Sequence, residues 1–435
     1  MPERDGLPDN VPSVGEKPQE ASSDRESELI LSRVVIDANF QILDTPPSFY
    51  LEDSEKEKVV LLRETIKHFR AQPELIISMP VLPTSESDTV IEKSERPASI
   101  KASNPESILI WLKQVGLSEA DLAKKVDWRH LREAFRIGDV INDLICHYNY
   151  DQNNNPVGEI SLRKFIELIR VSVCGDLYVQ HMTNSIQDRL KSDLPDYAPQ
   201  LKCLSVFNPS LKGRGIFLGE ISSRHLIYFR TSIDVYSDPY FDYKNISKTD
   251  QSTCAHELVH ARHAEELGGG EKLYVHGVKL ENPKKDVEVD IAVRRSFSDF
   301  QYQTGVEESV VQKSPVWFIL IEGFATYGQL KFINHQIEKS SGDNMRDWEK
   351  VKIEFMRRLR YLDGKEGKTR VDSRTQCMLE PYSKGTLLIH SLDKTKPGSS
   401  ILEKLKDFSP ESLAGKSLQE LMDNLRANQK RPLVK

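Results

Sequence analysis

The sequence predicts an α+β protein in which a mainly helical unit precedes a half that combines a small sheet with long helices. Three observations predict this class. Apolar residues recur at helical spacing across residues 106–198. Strand-like runs rich in apolar residues follow at 215–221 and 226–231. Two later segments, 247–267 and 315–325, combine helix start signals with apolar faces.

The amino-terminal part of the chain is predicted to contain a tail, a small region and a linker. Residues 1–26 are rich in Glu, Asp, Ser and Pro, so we expect a disordered tail. The small region 27–82 should hold one or two helices, the clearest at 54–72. A second polar stretch, 83–105, is expected to be a linker.

Residues 106–198 form the predicted helical accessory unit. The segment 116–123 resembles the start of a helix-turn-helix, which leaves open a regulatory protein whose helical unit binds a repressor or DNA. Asp127, however, stands where that motif usually has a turn glycine. A net charge of −6 and a pI near 6.1 also argue against general nucleic-acid binding. We therefore do not expect a nucleic acid as a partner.

The pentapeptide His256-Glu257-Leu258-Val259-His260 is the most informative segment of the second half of the chain, residues 199–435. On a helix, positions four apart lie on nearly the same face, so His256 and His260 can bind one metal ion. Glu257 lies close enough to act on a water molecule at that ion without being a ligand. The alternative is a pair of core histidines that hydrogen-bond to the backbone, with Glu257 exposed to solvent.

The flanking residues place this pentapeptide on a buried helix. The helix is expected to begin near Ser247 or Thr249, because Ser247 followed by Asp250 approximates a capping signal. It is expected to stop at the three glycines 268–270. Apolar residues at 255, 258 and 259 form a second face that would pack inside the domain.

Glu322 is the predicted third metal ligand. It follows an apolar run and is itself followed by Phe324 and Ala325, so an unpaired carboxylate there would cost several kcal/mol. Pro315 at the first turn places Glu322 about two turns inside a helix, and Gly323 would allow a neighbouring helix to approach closely. The alternative is a buried glutamate paired with Arg or Lys.

Together these segments resemble the gluzincin metallopeptidases, the superfamily of thermolysin and aminopeptidase N. The resemblance rests on the His-Glu-x-x-His helix, on Trp-x-x-x-x-Glu-Gly-x-Ala at 317–325, and on a third segment. Residues 381–385, Pro-Tyr-Ser-Lys-Gly, are similar to the Tyr-x-Lys-Gly segment of the aminopeptidase N family. This resemblance implies a gluzincin-type catalytic domain, a small sheet followed by zinc-binding helices, at 199–435.

The resemblance also implies roles for individual residues. Zn²⁺ would be held by His256, His260 and Glu322, with Glu257 as general base. Tyr382 would stabilise the oxyanion formed during hydrolysis of a peptide or protein substrate, and an edge strand would hold that substrate in an extended form. The other candidates for this oxyanion role, besides Tyr382, are Tyr327 and His276.

Two departures from the gluzincin pattern limit what it implies about substrates. The segment between His260 and Glu322 is longer than in thermolysin or aminopeptidase N, so we expect an insertion at 268–314. No Gly-x-Met-Glu-Asn segment, which recognises a free substrate amino terminus, precedes the zinc helix; the nearest is Gly219-Glu220-Ile221. Cleavage inside a peptide and cleavage at its end both stay open.

A metzincin is excluded by spacing, because His263 occupies an offset where that class has glycine.

The remaining features predict a soluble, cytoplasmic protein. The cysteines are odd in number and unpaired in spacing, which fits a reducing compartment. The amino terminus lacks a signal peptide, and the longest apolar run, which ends at Ile321, is too short to span a bilayer. An alternative of a different class is a non-catalytic binding protein that keeps zinc as a structural element. The oligomeric state does not follow from the sequence.

Overall fold

The chain folds into a mixed α+β structure dominated by helices, with small sheets, which confirms the predicted class. The computed structural model describes residues 19–44, 51–82, 103–148, 158–211, 213–221, 224–231, 242–267, 315–362, 373–394 and 399–406, with isolated positions up to 423.

The amino-terminal half consists of helices joined by two short antiparallel strand pairs. Its helices are α1 (Gln19–Asn39), α2 (Asp53–Ala71), α3 (Glu74–Ile77), α4 (Pro105–Val115), α5 (Glu119–Ala123), α6 (Trp128–Ala134), α7 (Asp139–Tyr148) and α8 (Leu162–Asp193). The paired strands are β1 (Phe40–Ile42) with β3 (Phe135–Ile137), and β2 (Lys125–Asp127) with β4 (Glu159–Ser161).

Local sequence signals explain where several of these helices begin and end. The side chain of Asn104 accepts a hydrogen bond from the Glu106 N–H, Pro105 opens α4, and Gly116 ends it in the left-handed conformation at φ 74°. Helix α2 confirms the expected helix to within one residue at each end. These are positions at which local chemistry alone decides the structure.

The helix-turn-helix that the sequence left open at 116–123 does not form in the accessory unit. Helix α5 ends at Ala123 after only five residues. The following segment is not a turn, because Lys125–Asp127 pairs with Glu159–Ser161 as strand β2. Strand pairing at this position fixes the backbone in an extended form that a turn between two DNA-binding helices cannot adopt.

Helix α8, 32 residues long, packs against both halves of the chain. It contacts α1 of the amino-terminal half and strand β5 (Lys202–Phe207) of the larger sheet. One hydrophobic cluster extends from Val35 to Leu421. A predicted boundary at residue 198 would therefore cut through a shared core, and the domain limits stay a prediction.

The larger sheet has three strands in the order β5-β7-β6, where β6 is Gly215–Ile221 and β7 is Arg224–Phe229. Strand β7 pairs parallel to β5 and antiparallel to β6. The register shifts between Phe217 and Gly219, so β6 carries a bulge. Strand β6 thus lies at one edge of the described sheet.

Further helices follow the sheet in the described part of the chain. They are α9 (Lys248–Leu267), α10 (Pro315–Lys339), α11 (Gly342–Leu362), α12 (Ser373–Asp393) and α13 (Ile401–Leu405). The hydroxyl of Ser247 accepts a hydrogen bond from the Asp250 N–H at 3.0 Å, which confirms the expected cap of α9. No helix in the described part of the chain combines the length and apolar character needed to cross a membrane.

The structure corrects the sequence-based boundaries in two places. Residues 19–26, expected in the disordered tail, form the first turns of α1. Leu31, Val34 and Val35, later in the same helix, pack into the core. This packing stabilises the helix, and its first turns continue it towards the amino terminus. Strand β5 was not expected at all. The predicted insertion 268–314, most of the linker 83–105 and the rival His276 lie outside the described residues.

Candidate metal centre

Three side chains from two helices converge on one point. The Nε2 atoms of His256 and His260 lie 3.1 Å apart, and Oε2 of Glu322 lies 3.4 Å and 3.5 Å from them. All three residues are buried, with exposed fractions between 7% and 9%. In the described part of the chain this is the one group of His, Cys, Asp or Glu side chains with the geometry to hold a metal ion.

The distances and the donor set fit a small tetrahedral cation. Ligand atoms 2.0–2.1 Å from a tetrahedral zinc ion lie roughly 3.3 Å from one another. The three observed separations, from 3.1 Å to 3.5 Å, bracket that value. Oε2 of Glu322 is buried and has no hydrogen-bond partner among the described residues, which is costly for a carboxylate unless a cation balances it.

Burial and mutual attraction set the charges of these groups. Burial alone would raise the pKa of Glu322, but the two imidazoles hold it well below its usual range. Burial alone would lower the pKa of His260, but the Glu322 carboxylate raises it. These shifts favour an ionised Glu322 carboxylate, and an imidazole that binds a metal ion must give up its added proton.

Glu257 lies beside this group but faces the sheet. Its Oε2 accepts a hydrogen bond from the Phe217 N–H of strand β6 at 2.9 Å. Its side chain is buried, with 7% exposed, and burial raises its pKa, an effect that His256 and His260 oppose. The alternative of an exposed Glu257 is therefore wrong.

The packing of α9 against α10 brings the ligands together. The apolar face of α9, Ala255, Leu258 and Val259, is fully buried as expected. On α10, Gly328 leaves room for Val259, since a Cβ atom there would lie 2.7 Å from its Cγ2. The side chain of Gln329 donates a hydrogen bond to Ser252 at 2.8 Å across the same interface. These contacts fix the spacing of the two helices.

Tyr382, on α12, lies next to the metal ligands. Its ring is 6.1 Å from the His256 ring between centroids and inclined by 27° to it. Helices α12 and α10 meet at glycines, because a Cβ atom on Gly323 would overlap the backbone of Gly385. The close helix approach expected at Gly323 is thus confirmed, and α12 is the helix that approaches.

The other candidate residues lie apart from this group. The Tyr327 hydroxyl donates to Oδ2 of Asp393 at 2.8 Å. His263 is buried, with 3% exposed, and packs against Phe324 at 5.6 Å between ring centroids, so it is not solvated. Burial, with a smaller effect of His260, lowers the pKa of His263 to about 3.

Sequence reasoning missed two features that hold the site in place. The first is the contact that strand β6, itself predicted, makes with Glu257 through Gly215 and Phe217. The second is Glu265 near the end of α9, which accepts hydrogen bonds from the Leu201 N–H at 2.8 Å and from Nε2 of His225 at 2.9 Å. These contacts attach α9 to the sheet. No local motif predicts them, because the partners lie 40 or more positions apart.

Comparisons with known proteins supply no relative from which a function can be transferred. No protein-family model, no curated protein and no solved structure matches this chain. Any functional conclusion must therefore come from the chemistry of the buried group and from the motifs in the sequence.

Proposed function

We propose that this protein is a zinc-dependent peptidase of the gluzincin type. The observation that carries the proposal is the convergence of His256, His260 and Glu322 on one point, with Glu257 beside them. Two imidazoles and one carboxylate form the donor set of catalytic zinc sites that leave a fourth position open. Structural zinc sites instead use four protein ligands, commonly with cysteines.

Each residue has a distinct role in the proposed reaction. A zinc ion, when bound, lowers the pKa of water in its fourth position to about 7 and polarises the scissile carbonyl. Glu257 accepts the proton of the attacking water and passes it to the nitrogen of the leaving amine. Tyr382 donates a hydrogen bond from its hydroxyl to the carbonyl oxygen as negative charge develops there.

The substrate we propose is a peptide or protein segment in extended form. Strand β6 lies at an edge of the sheet and beside Glu257, which supports this choice. An edge strand can pair with an added peptide strand through its backbone N–H and C=O groups, here those other than the Phe217 N–H, which donates to Glu257. Such pairing is largely independent of substrate side chains, so it gives no preference for a particular residue.

Replacing Glu257 with Gln tests the proposal. The substitution keeps the size of the side chain and removes its basicity, so we expect zinc content equal to that of the wild type and turnover reduced by about 10²–10⁴. Zinc per chain is measured by elemental analysis, and turnover by mass spectrometry on an unbiased peptide library. A matched control is Glu338→Gln, an exposed glutamate on α10.

The outcomes separate the proposed enzyme from its alternative. Equal zinc with turnover lost only in Glu257→Gln supports the peptidase. Zinc in both proteins with no turnover in either supports a binding protein with structural zinc. Absence of stoichiometric zinc, or a Glu257→Gln variant as active as the wild type, contradicts the proposal.

A further inference from the structure

Gly215, the first residue of β6, leaves the space that the Glu257 side chain occupies. A Cβ atom built on Gly215 would lie 2.8 Å from Cγ and 3.0 Å from Oε1 of Glu257. The same atom would lie 3.0 Å from Cε1 of Phe229. Carbon atoms that are not bonded prefer separations of about 3.5–4.0 Å. Any residue other than glycine would therefore press on the Glu257 side chain.

The same strand holds Glu257 by a second contact. The Phe217 N–H donates to Oε2 at 2.9 Å, so it points away from β7 and towards α9. Side chains two apart on a strand share a face, so Gly215 and Phe217 both face α9. Phe217 packs in the main core, whereas Ile216 and Leu218 pack in a separate cluster on the opposite face, as this alternation requires.

We propose that Gly215 is a positioning residue for Glu257. Its lack of a side chain lets β6 lie close enough to α9 for the Phe217 N–H to orient one oxygen of the carboxylate. The importance of this orientation for catalysis rests on the proposed function, in which Glu257 is the general base. A general base must lie within about 2.6–3.2 Å of the atom that carries the proton it takes, so a small displacement is sufficient to impair it.

Gly215→Ala tests the space that Gly215 leaves for the Glu257 side chain, because the backbone conformation at residue 215 does not require glycine. The φ angle of Gly215 lies outside the left-handed region, so alanine is compatible with the chain. Glu257 carries no metal-ligand atom of the buried group, so the ligands His256, His260 and Glu322 stay in place. The control is Gly213→Ala, where the nearest atom to an added Cβ is the Gly215 carbonyl oxygen at an ordinary 3.6 Å.

The kinetic test compares both variants with the wild type on a peptide that the wild type cleaves. For Gly215→Ala we expect kcat to fall about tenfold or more, with KM and zinc per chain within twofold of the wild type. For Gly213→Ala we expect no change in any of these values. An unchanged kcat in Gly215→Ala, or an equal loss in both variants, overturns the proposal.

Hydrogen exchange of the peptide that covers residues 215–221 tests the positioning without any activity. Loss of the acceptor in Glu257→Ala should speed exchange of the Phe217 amide, and Gly215→Ala should speed it similarly. The double variant should exchange no faster than Glu257→Ala, because both changes remove one contact. Normal exchange in Gly215→Ala overturns the positioning role even if the wild type cleaves no peptide, so this failure is distinct from failure of the proposed function.

A variant that does not fold is also informative. If Gly215→Ala fails to fold, the double variant with Glu257→Ala should fold, since the overlapping carboxylate side chain is gone. Failure of the double variant as well would show that the overlap with Phe229 dominates, and the proposal would be wrong.

Discussion

Two tyrosines on neighbouring helices differ in what surrounds them. The Tyr382 ring lies beside His256, with centroids 6.1 Å apart. Tyr327 lies on the Glu322 helix, but its hydroxyl donates to Asp393 at 2.8 Å, and Lys331 lies over its ring at 5.1 Å. Tyr327 thus joins α10 to the end of α12, whereas Tyr382 packs beside His256.

Tyr382→Phe is expected to reduce kcat by about 10²–10³ without loss of zinc, because it removes a donor to the developing oxyanion. Tyr327→Phe is the matched control, which should lower stability by about 1 kcal/mol and leave kcat near that of the wild type. Steady-state kinetics and denaturant unfolding measure the two effects. A large loss of kcat in Tyr327→Phe, with kcat unchanged in Tyr382→Phe, would assign the oxyanion role to Tyr327.

Helices α10 and α12 cross close to Glu322, the proposed third metal ligand, and to Tyr382, the proposed oxyanion donor. Gly323 and Gly385 meet so closely that a Cβ atom on either would overlap backbone atoms of the other helix. Glu322 directly precedes the first glycine, and Tyr382 lies three positions before the second. The separation of these two functional side chains is therefore set by a contact between backbones.

Gly323→Ala should force α10 and α12 apart, because backbone atoms cannot move aside as a flexible side chain can. We expect the free energy of unfolding to fall by about 1–3 kcal/mol, as for other overpacked cores, together with a loss of kcat as Tyr382 moves. Gly158→Ala serves as the control, since nothing lies within 4 Å of an added Cβ there. Thermal unfolding of both variants gives the comparison, and equal melting temperatures would contradict the expectation.

At the scale of the whole molecule, one core joins the amino-terminal helices to the part of the chain that holds His256, His260 and Glu322. The hydrophobic cluster runs from Val35 to Leu421 through α8. His263 lies inside this core, where burial lowers its pKa to about 3. The unfolded chain has its histidines near pKa 6.5, so protonation of His263 couples directly to global stability.

The metal-free protein is expected to lose stability as the pH falls from about 6.5 towards about 3. In this window the unfolded state binds a proton at residue 263 that the folded state does not. This single group therefore makes the free energy of unfolding fall by up to about 1.4 kcal/mol for each pH unit of acidification. Above pH 6.5 it contributes no slope. Denaturant unfolding at pH 7 and pH 5 measures the difference, which should shrink in His263→Gln. An unchanged pH dependence in that variant would contradict the assignment.

Much of the local structure follows from the sequence because its causes are local. Ser247 caps α9, Pro315 opens α10 and Gly116 ends α4, as their side chains and allowed backbone angles require. The spacing of His256 and His260 on one helix face is likewise a property of any helix. Zinc, peptidase activity and the roles of Glu257 and Tyr382 stay predictions that the experiments above test.

The sequence by itself determined the α+β class, the start and end of α9, the start of α10 and the pair of histidines that share one face, because helix geometry and end signals act over a few residues. Only the tertiary structure decided that Glu322 lies within 3.5 Å of both imidazoles and that the Phe217 N–H contacts Glu257. Those distances depend on how helices and strands far apart in the chain pack together. Packing of that kind is fixed by the shapes of many side chains at once, including glycines that matter for the space they leave open.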